Sequence, residues 1–148
     1  IQMKIQSKLG VTISSTDAVG TFLGASQERT VTETTYTAAA SWQTIYSPTI
    51  SADGDYFVVF NFTFSAAGAA DVEFRIIDTN DSTIYATAAK AFISGRLDTV
   101  TIPAVITKGA SSSFALQLYS DTHNVTSYQD LVNDVQDYAS RFIKIRVG

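Results

Sequence analysis

The sequence predicts an all-β domain, an antiparallel β-sandwich of about eight or nine strands, on three observations. Short runs rich in Val, Ile, Thr, Tyr and Phe recur between clusters of Gly, Asn, Asp and Ser. Within several runs apolar and polar residues alternate, the period of a strand with one buried face. The 148 residues are 45% hydrophobic but only 16% charged, so much of the polarity comes from Thr, Ser, Asn and Gln, which suits pleated half-buried surfaces better than disorder.

Taken in order, the first 28 residues combine one alternating run, Ile1, Met3 and Ile5, with loose Gly, Ser and Thr sequence and an isolated "TFLG" carrying Phe22 and Leu23. Two readings stand for this region: a first strand over 1–8, or an arm whose few apolar anchors order on a partner. Residues 1–28 are therefore set apart from a sandwich domain over 29–148. The chain opens on Ile1 with no charged-then-apolar leader pattern, and reads as one from which a segment was removed or which a further segment precedes.

Strands are predicted over 29–37, 41–47, 55–65, 71–78, 83–92, 97–106, 112–120 and 140–147. The intervening "SPTISADG", "SAAGAA", "DTNDS", "SGR" and "KGASS" supply the residues that turns need. In "DVEFRIID" Val72, Phe74 and Ile76 form one face, opposite Glu73 and Arg75; in "SFALQLYS" Phe114, Leu116 and Leu118 point inward. "RFIKIRVG" sets Ile143, Ile145 and Val147 against Phe142, Lys144 and Arg146, and the isoleucine set reads as the buried side. Over 127–140, Leu131, Val135 and Tyr138 share a helical spacing that predicts a short helical turn or two.

The stretch "GDYFVVFNFTF" holds five aromatic rings in eleven residues. By alternation Tyr56, Val58, Phe60, Phe62 and Phe64 belong to the core, which leaves Phe57, Val59, Asn61 and Thr63 outside. Phe57 and Val59 would then form an exposed apolar patch, covered by a loop, by the arm or by another subunit. These two residues are the candidate subunit interface, and Ile1, Met3, Ile5, Phe22 and Leu23 are the candidate anchors of the arm.

Composition narrows the function classes. The chain has no Cys, which removes disulfides, thiolate metal sites and Cys nucleophiles together. No apolar run reaches the length of a membrane-spanning helix. The net charge of −4 matches the four Asp residues of segment 109–140, which contains no Lys or Arg; nucleic-acid binding wants the reverse balance. The segment reads as a solvated acidic loop. Asp130, Asp134 and Asp137 would suit Ca²⁺ only on a helix, and the Gly and Glu of an EF-hand loop are missing. No metal or cofactor is expected.

No phosphate-binding loop, dinucleotide-binding glycine pattern or nucleophile elbow occurs. His123 is the single His, so a hydrolytic triad would need it as base, yet "SDTHNVT" reads as a polar loop. A pair of carboxylates would suffice for a glycosidase, and a small glycosidase or esterase is the enzyme alternative to a reading with no enzymatic role. Tyr36, Trp42, Tyr46 and Tyr119 are candidates for a sugar-stacking platform, or else for core or subunit interface.

The order "SWQTIYSPTISADGDYFVVFNFTF…AADVEFRIID…FALQLYSD…SRFIKIRVG", over residues 41–148, resembles the TNF/C1q-like trimeric jelly rolls of phage virion proteins, those of capsid decoration proteins, head fibres and tail fibre or needle heads. The likeness lies in a Trp-led strand, a "GDY" lead into a long aromatic strand, a late strand after a Gly turn and a short final strand. It implies a homotrimer on the virion surface with no enzymatic role, bound to a major capsid protein or other virion proteins. Residues 1–28 show no heptads for a shaft, which favours decoration or cementing of a capsid lattice. The alternative is the receptor- or carbohydrate-binding head of a tail fibre, with a surface glycan as partner and segment 121–139 at the recognition surface.

Overall fold

The computed structural model describes residues 33–128 and 140–148, together with the strand segments 5–6, 12–13 and 26–29. Twelve strands result: β1 (Ile5–Gln6), β2 (Thr12–Ile13), β3 (Ser26–Arg29), β4 (Thr34–Tyr36), β5 (Ala39–Tyr46), β6 (Gly54–Ala66), β7 (Ala70–Asp78), β8 (Ile84–Phe92), β9 (Asp98–Lys108), β10 (Phe114–Ser120), β11 (Val125–Tyr128) and β12 (Arg141–Arg146). Apart from the β1–β2 ribbon they form two antiparallel sheets packed as a sandwich, the all-β architecture that the sequence predicts.

The smaller sheet has the order β5-β10-β7-β8. The larger is organised on the 13-residue β6. One edge of β6 pairs with β9 from Gly54 to Phe64. Its other edge changes partner, from β12 over residues 56–61 to β11 over residues 63–66, and β3 and β4 extend these as outer strands. At the change of partner the Thr63 amide donates to Ser140 Oγ (3.1 Å), and that hydroxyl donates to the Tyr128 carbonyl. A fully buried serine thus satisfies a backbone donor at the junction of two strands.

Between the sheets lies one aromatic core. Tyr56, Val58, Phe60, Phe62 and Phe64 all point into it, as their alternation requires, and meet Val72, Phe74 and Ile76 of β7 and Phe114, Leu116 and Leu118 of β10. Phe64 and Phe74 bridge the two sheets with ring centroids 5.0 Å apart. Each buried ring contributes on the order of 2–3 kcal/mol by area.

Three sequence readings are corrected. In β12 the core residue is Phe142, fully buried with its ring 4.8 Å from Phe60, while Ile143 and Ile145 lie half-buried on the outward face. A single phenyl ring that fills the core outweighs two isoleucines in setting which side of the strand turns in. The polar run after residue 121 contains a strand, β11, so Ser127 and Tyr128 are extended rather than helical; the rest of the helical reading falls on 129–139, outside the described residues. The strand expected over 29–37 is divided between β3 and β4, which border different partners.

The turns are tied by side chains and termini. Asp78 Oδ1 accepts from the amides of Asn80 (2.9 Å) and Ser113 (3.0 Å), joining the β7–β8 turn to the β9–β10 turn. Gly54 opens β6 at φ 141°, and a Cβ there would stand 2.5 Å from the Gly148 carbonyl oxygen, so the return of the C-terminus onto Asp55 requires glycine.

Candidate functional site

The sandwich has two outward sheet faces, and each gathers residues of a different chemistry. On the larger sheet the outward positions align in rungs across β9, β6 and β12. Val105, Phe57 and Ile145 form one rung; Pro103, Val59 and Ile143 form the next. Phe57 is 38% exposed and Val105 62%, Pro103 is exposed, and Val59, Ile143 and Ile145 are half-buried. Six apolar side chains thus lie together on one face.

The rungs beyond are polar and bonded within themselves. Thr107 Oγ1 donates to Asp55 Oδ1 (2.8 Å) at one end, and Thr101 Oγ1 donates to Asn61 Oδ1 (2.7 Å) at the other, where Arg141 is the β12 neighbour of Asn61. The patch therefore ends in Asp55 on one side and Arg141 on the other, charges of opposite sign. Pro103 lacks an N–H and sits on β9, which pairs only with β6 among the described strands, the edge position where proline is tolerated.

Of the residues singled out in the sequence, Phe57 and Val59 lie inside this patch. Ile5 lies in β1, with Ile13 of β2 as its cross-strand partner. Ile1, Met3, Phe22 and Leu23 fall outside the described residues. Sequence reasoning did not place Pro103, Val105, Ile143 and Ile145 in this patch. Their signal was present, because β6, β9 and β12 carry apolar residues on both faces; that they are neighbours is a matter of topology.

The smaller sheet presents Trp42, Thr44, Gln117, Tyr119, Glu73, Arg75, Thr87 and Ala89. The Arg75 guanidinium carbon lies 4.2 Å over the Trp42 ring, its Nε donates to Gln117 Oε1 (2.8 Å), and Gln117 Nε2 donates to Thr44 Oγ1 (3.2 Å). Tyr119 sits beside Trp42 with centroids 5.7 Å apart. The other two aromatic candidates pack inward: Tyr46 lies 5.6 Å from Phe62 and 6.0 Å from Phe142, and Tyr36 packs against the core with its hydroxyl donating to the Ile45 carbonyl (3.3 Å). Burial, the larger influence, raises the Tyr36 pKa against the lowering effect of Ser127 and Thr34.

His123 lies over the β6–β7 turn, where a Cβ on Gly68 would come within 2.5 Å of its ring. Its carbonyl accepts from Ser120 Oγ (2.7 Å). The Lys90 ammonium, 3.0 Å from Asp98, holds that carboxyl below the usual range, and Asp55, Asp78 and Asp81 accept bonds from neighbouring hydroxyls or turn amides. These acids serve the scaffold. No group of three or more His, Cys, Asp or Glu suited to a metal ion occurs among the described residues.

No protein-family model and no curated protein matches the chain. Similar solved structures include chains of infectious bursal disease virus, the Gt strain (13% identity, TM-score 0.46, covering 97% of this chain and 37% of that one) and the Gx strain (13%, 0.40, 99% and 36%). A chain from the disulfide-linked pili of Bacillus endospore appendages is similar at 20% identity and TM-score 0.35, over 71% of this chain and 88% of that one. The present chain thus spans little more than a third of the viral chains' length.

Proposed function

We propose that this chain is a non-enzymatic structural module of a virion, which assembles as a homotrimer through the outward face of its larger sheet and decorates or cements a capsid lattice. The observation that carries the reading is the six-residue patch centred on Phe57. Fully burying an exposed Phe or Val side chain contributes about 1.5–3 kcal/mol, and a contiguous set of them favours a second protein surface over water. The flanking rungs already satisfy one another, so covering the patch strands few polar groups. The partner proposed for the face is a second copy of the chain, and the three-fold count is what the resemblance of residues 41–148 to trimeric jelly rolls implies.

The virion setting is supported by the resemblance of residues 41–148 to TNF/C1q-like jelly rolls. The pairing order agrees with it: with β3, β5, β6, β7, β8, β9, β10 and β12 counted one to eight, the sheets run 1-8-3-6 and 2-7-4-5, compatible with a jelly roll. In this reading the residues ahead of β3 reach a neighbouring subunit or the capsid, while β3 itself pairs with β12 in the sandwich. Immunogold electron microscopy with antibody to the chain tests it. Labelling in a regular array on virus particles is the expected result; labelling confined to particle-free cell material overturns the virion assignment.

A further inference from the structure

The second outward face carries a site apart from the Phe57 patch proposed for self-assembly. Beside Arg75 the smaller sheet holds an open trough of about 400 Å³, whose lining includes Trp42, Glu73 and Arg75 together with Ile84, Thr87 and Ala89 of β8. The register places Thr87 across from Arg75 and Ala89 across from Glu73, so small side chains stand next to long charged ones and the depression follows from the sequence.

Arg75 is held in place before any ligand arrives. Trp42 supports its guanidinium plane and Gln117 takes its Nε, while Thr44 fixes Gln117 in turn. Its terminal Nη groups have no hydrogen bond among the described residues, and neither Arg75 nor Glu73 has an ion pair there. A guanidinium with its end-on Nη edge free and little rotamer entropy left to lose is shaped for a carboxylate. Glu73 lies one rung away with its carboxylate exposed. It accepts hydroxyl hydrogens but repels a second anion, and the chain's net charge of −4 disfavours a polyanion further.

We infer that this trough binds a glycan through one carboxylated sugar residue. Arg75 pairs with the carboxylate, Glu73 and Thr87 bond to ring hydroxyls, and the ring lies on Ala89. One face of Trp42 is already covered by Arg75, so recognition is by charge and hydroxyl pattern, with the indole as support for the arginine.

Trp42 is the single tryptophan, and its fluorescence reports on this site alone. The full chain is titrated at low ionic strength with N-acetylneuraminic acid, glucuronic acid, glucose, sodium acetate and a tetraglutamate peptide. The inference expects a saturable change with at least one acidic sugar, weaker binding of acetate and none of glucose. R75Q weakens the acidic sugar by about tenfold or more, as loss of a charged hydrogen-bonding partner requires. A89Y, at an exposed strand position, fills the trough and removes binding with Arg75 intact, and it decides the matter if R75Q does not fold. No saturable response, equal affinity for glucose or acetate, tighter binding of the peptide, or undiminished binding by A89Y overturns the inference.

Discussion

Phe57 and Val105 are cross-strand partners on the outward face of the larger sheet, and both side chains stand in solvent, at 38% and 62% exposure. Their inward neighbours, Val58 and Ile106, are fully buried. Two adjacent strands thus carry apolar residues on both faces, with a function for only one face among the described residues of a single copy.

Replacement of Phe57 by Glu places a carboxylate at the centre of the patch. At a protein contact this costs about 3 kcal/mol or more, from the lost ring and the charge brought out of water. Size-exclusion chromatography is expected to show the smaller species, with far-UV circular dichroism unchanged. Unfolding of F57E would show instead that the ring belongs to the core.

Within β12 the two faces differ in energetic weight. Phe142→Ala empties a fully buried site beside Phe60 and is expected to cost about 3–5 kcal/mol. Ile145→Ala removes a half-buried side chain, and costs about 1 kcal/mol in a monomeric background such as F57E. Urea melts of both variants in that background measure the difference, and equal losses would contradict the placement of Phe142.

Asp78 gives the fold an acid-sensitive joint. Burial opposes its ionisation, yet the amides of Ser113 and Asn80, the Ser112 hydroxyl and the Lys108 charge together outweigh it and hold the carboxyl below its ordinary value. The folded state therefore binds this proton more weakly than the unfolded chain. Its stabilisation is complete above the unfolded Asp value of about 3.9 and is lost as pH falls through the lower folded value. Asp78→Asn is expected to lose about 1–3 kcal/mol at neutral pH. Melts at descending pH check this: the gap between wild type and variant narrows below about pH 4, and a gap that widens there contradicts the assignment.

Gly54→Ala brings a Cβ against the Gly148 carbonyl at a positive φ, and is expected to cost about 1–3 kcal/mol. Hydrogen exchange should then quicken at Asp55 and Val147, whose backbone groups close the C-terminus onto β6. Unchanged protection at both amides would show that the terminus is held by other contacts.

What the sequence made legible follows from where side chains have one choice. Strict alternation placed Tyr56, Val58, Phe60, Phe62 and Phe64 of β6, and the apolar sets of β7 and β10, without knowledge of their partners. Alternation pointed the wrong way in β12, where the face with more apolar residues turns outward and the volume of Phe142 decides. It missed β11 because "VTSY" has one aliphatic residue and gains its strand character by filling the edge of β6 that β12 leaves open. The Arg75–Trp42 contact was hidden for a related reason: Glu73 and Arg75 read as a wet face, but the register that sets Gln117 beside Arg75 joins residues 42 positions apart.

The most direct test of self-assembly through the Phe57 face is the mass of the wild-type particle, by multi-angle light scattering at micromolar concentration. Three times the chain mass of 16.0 kDa is the expected value. A single chain mass that persists as concentration rises would contradict it.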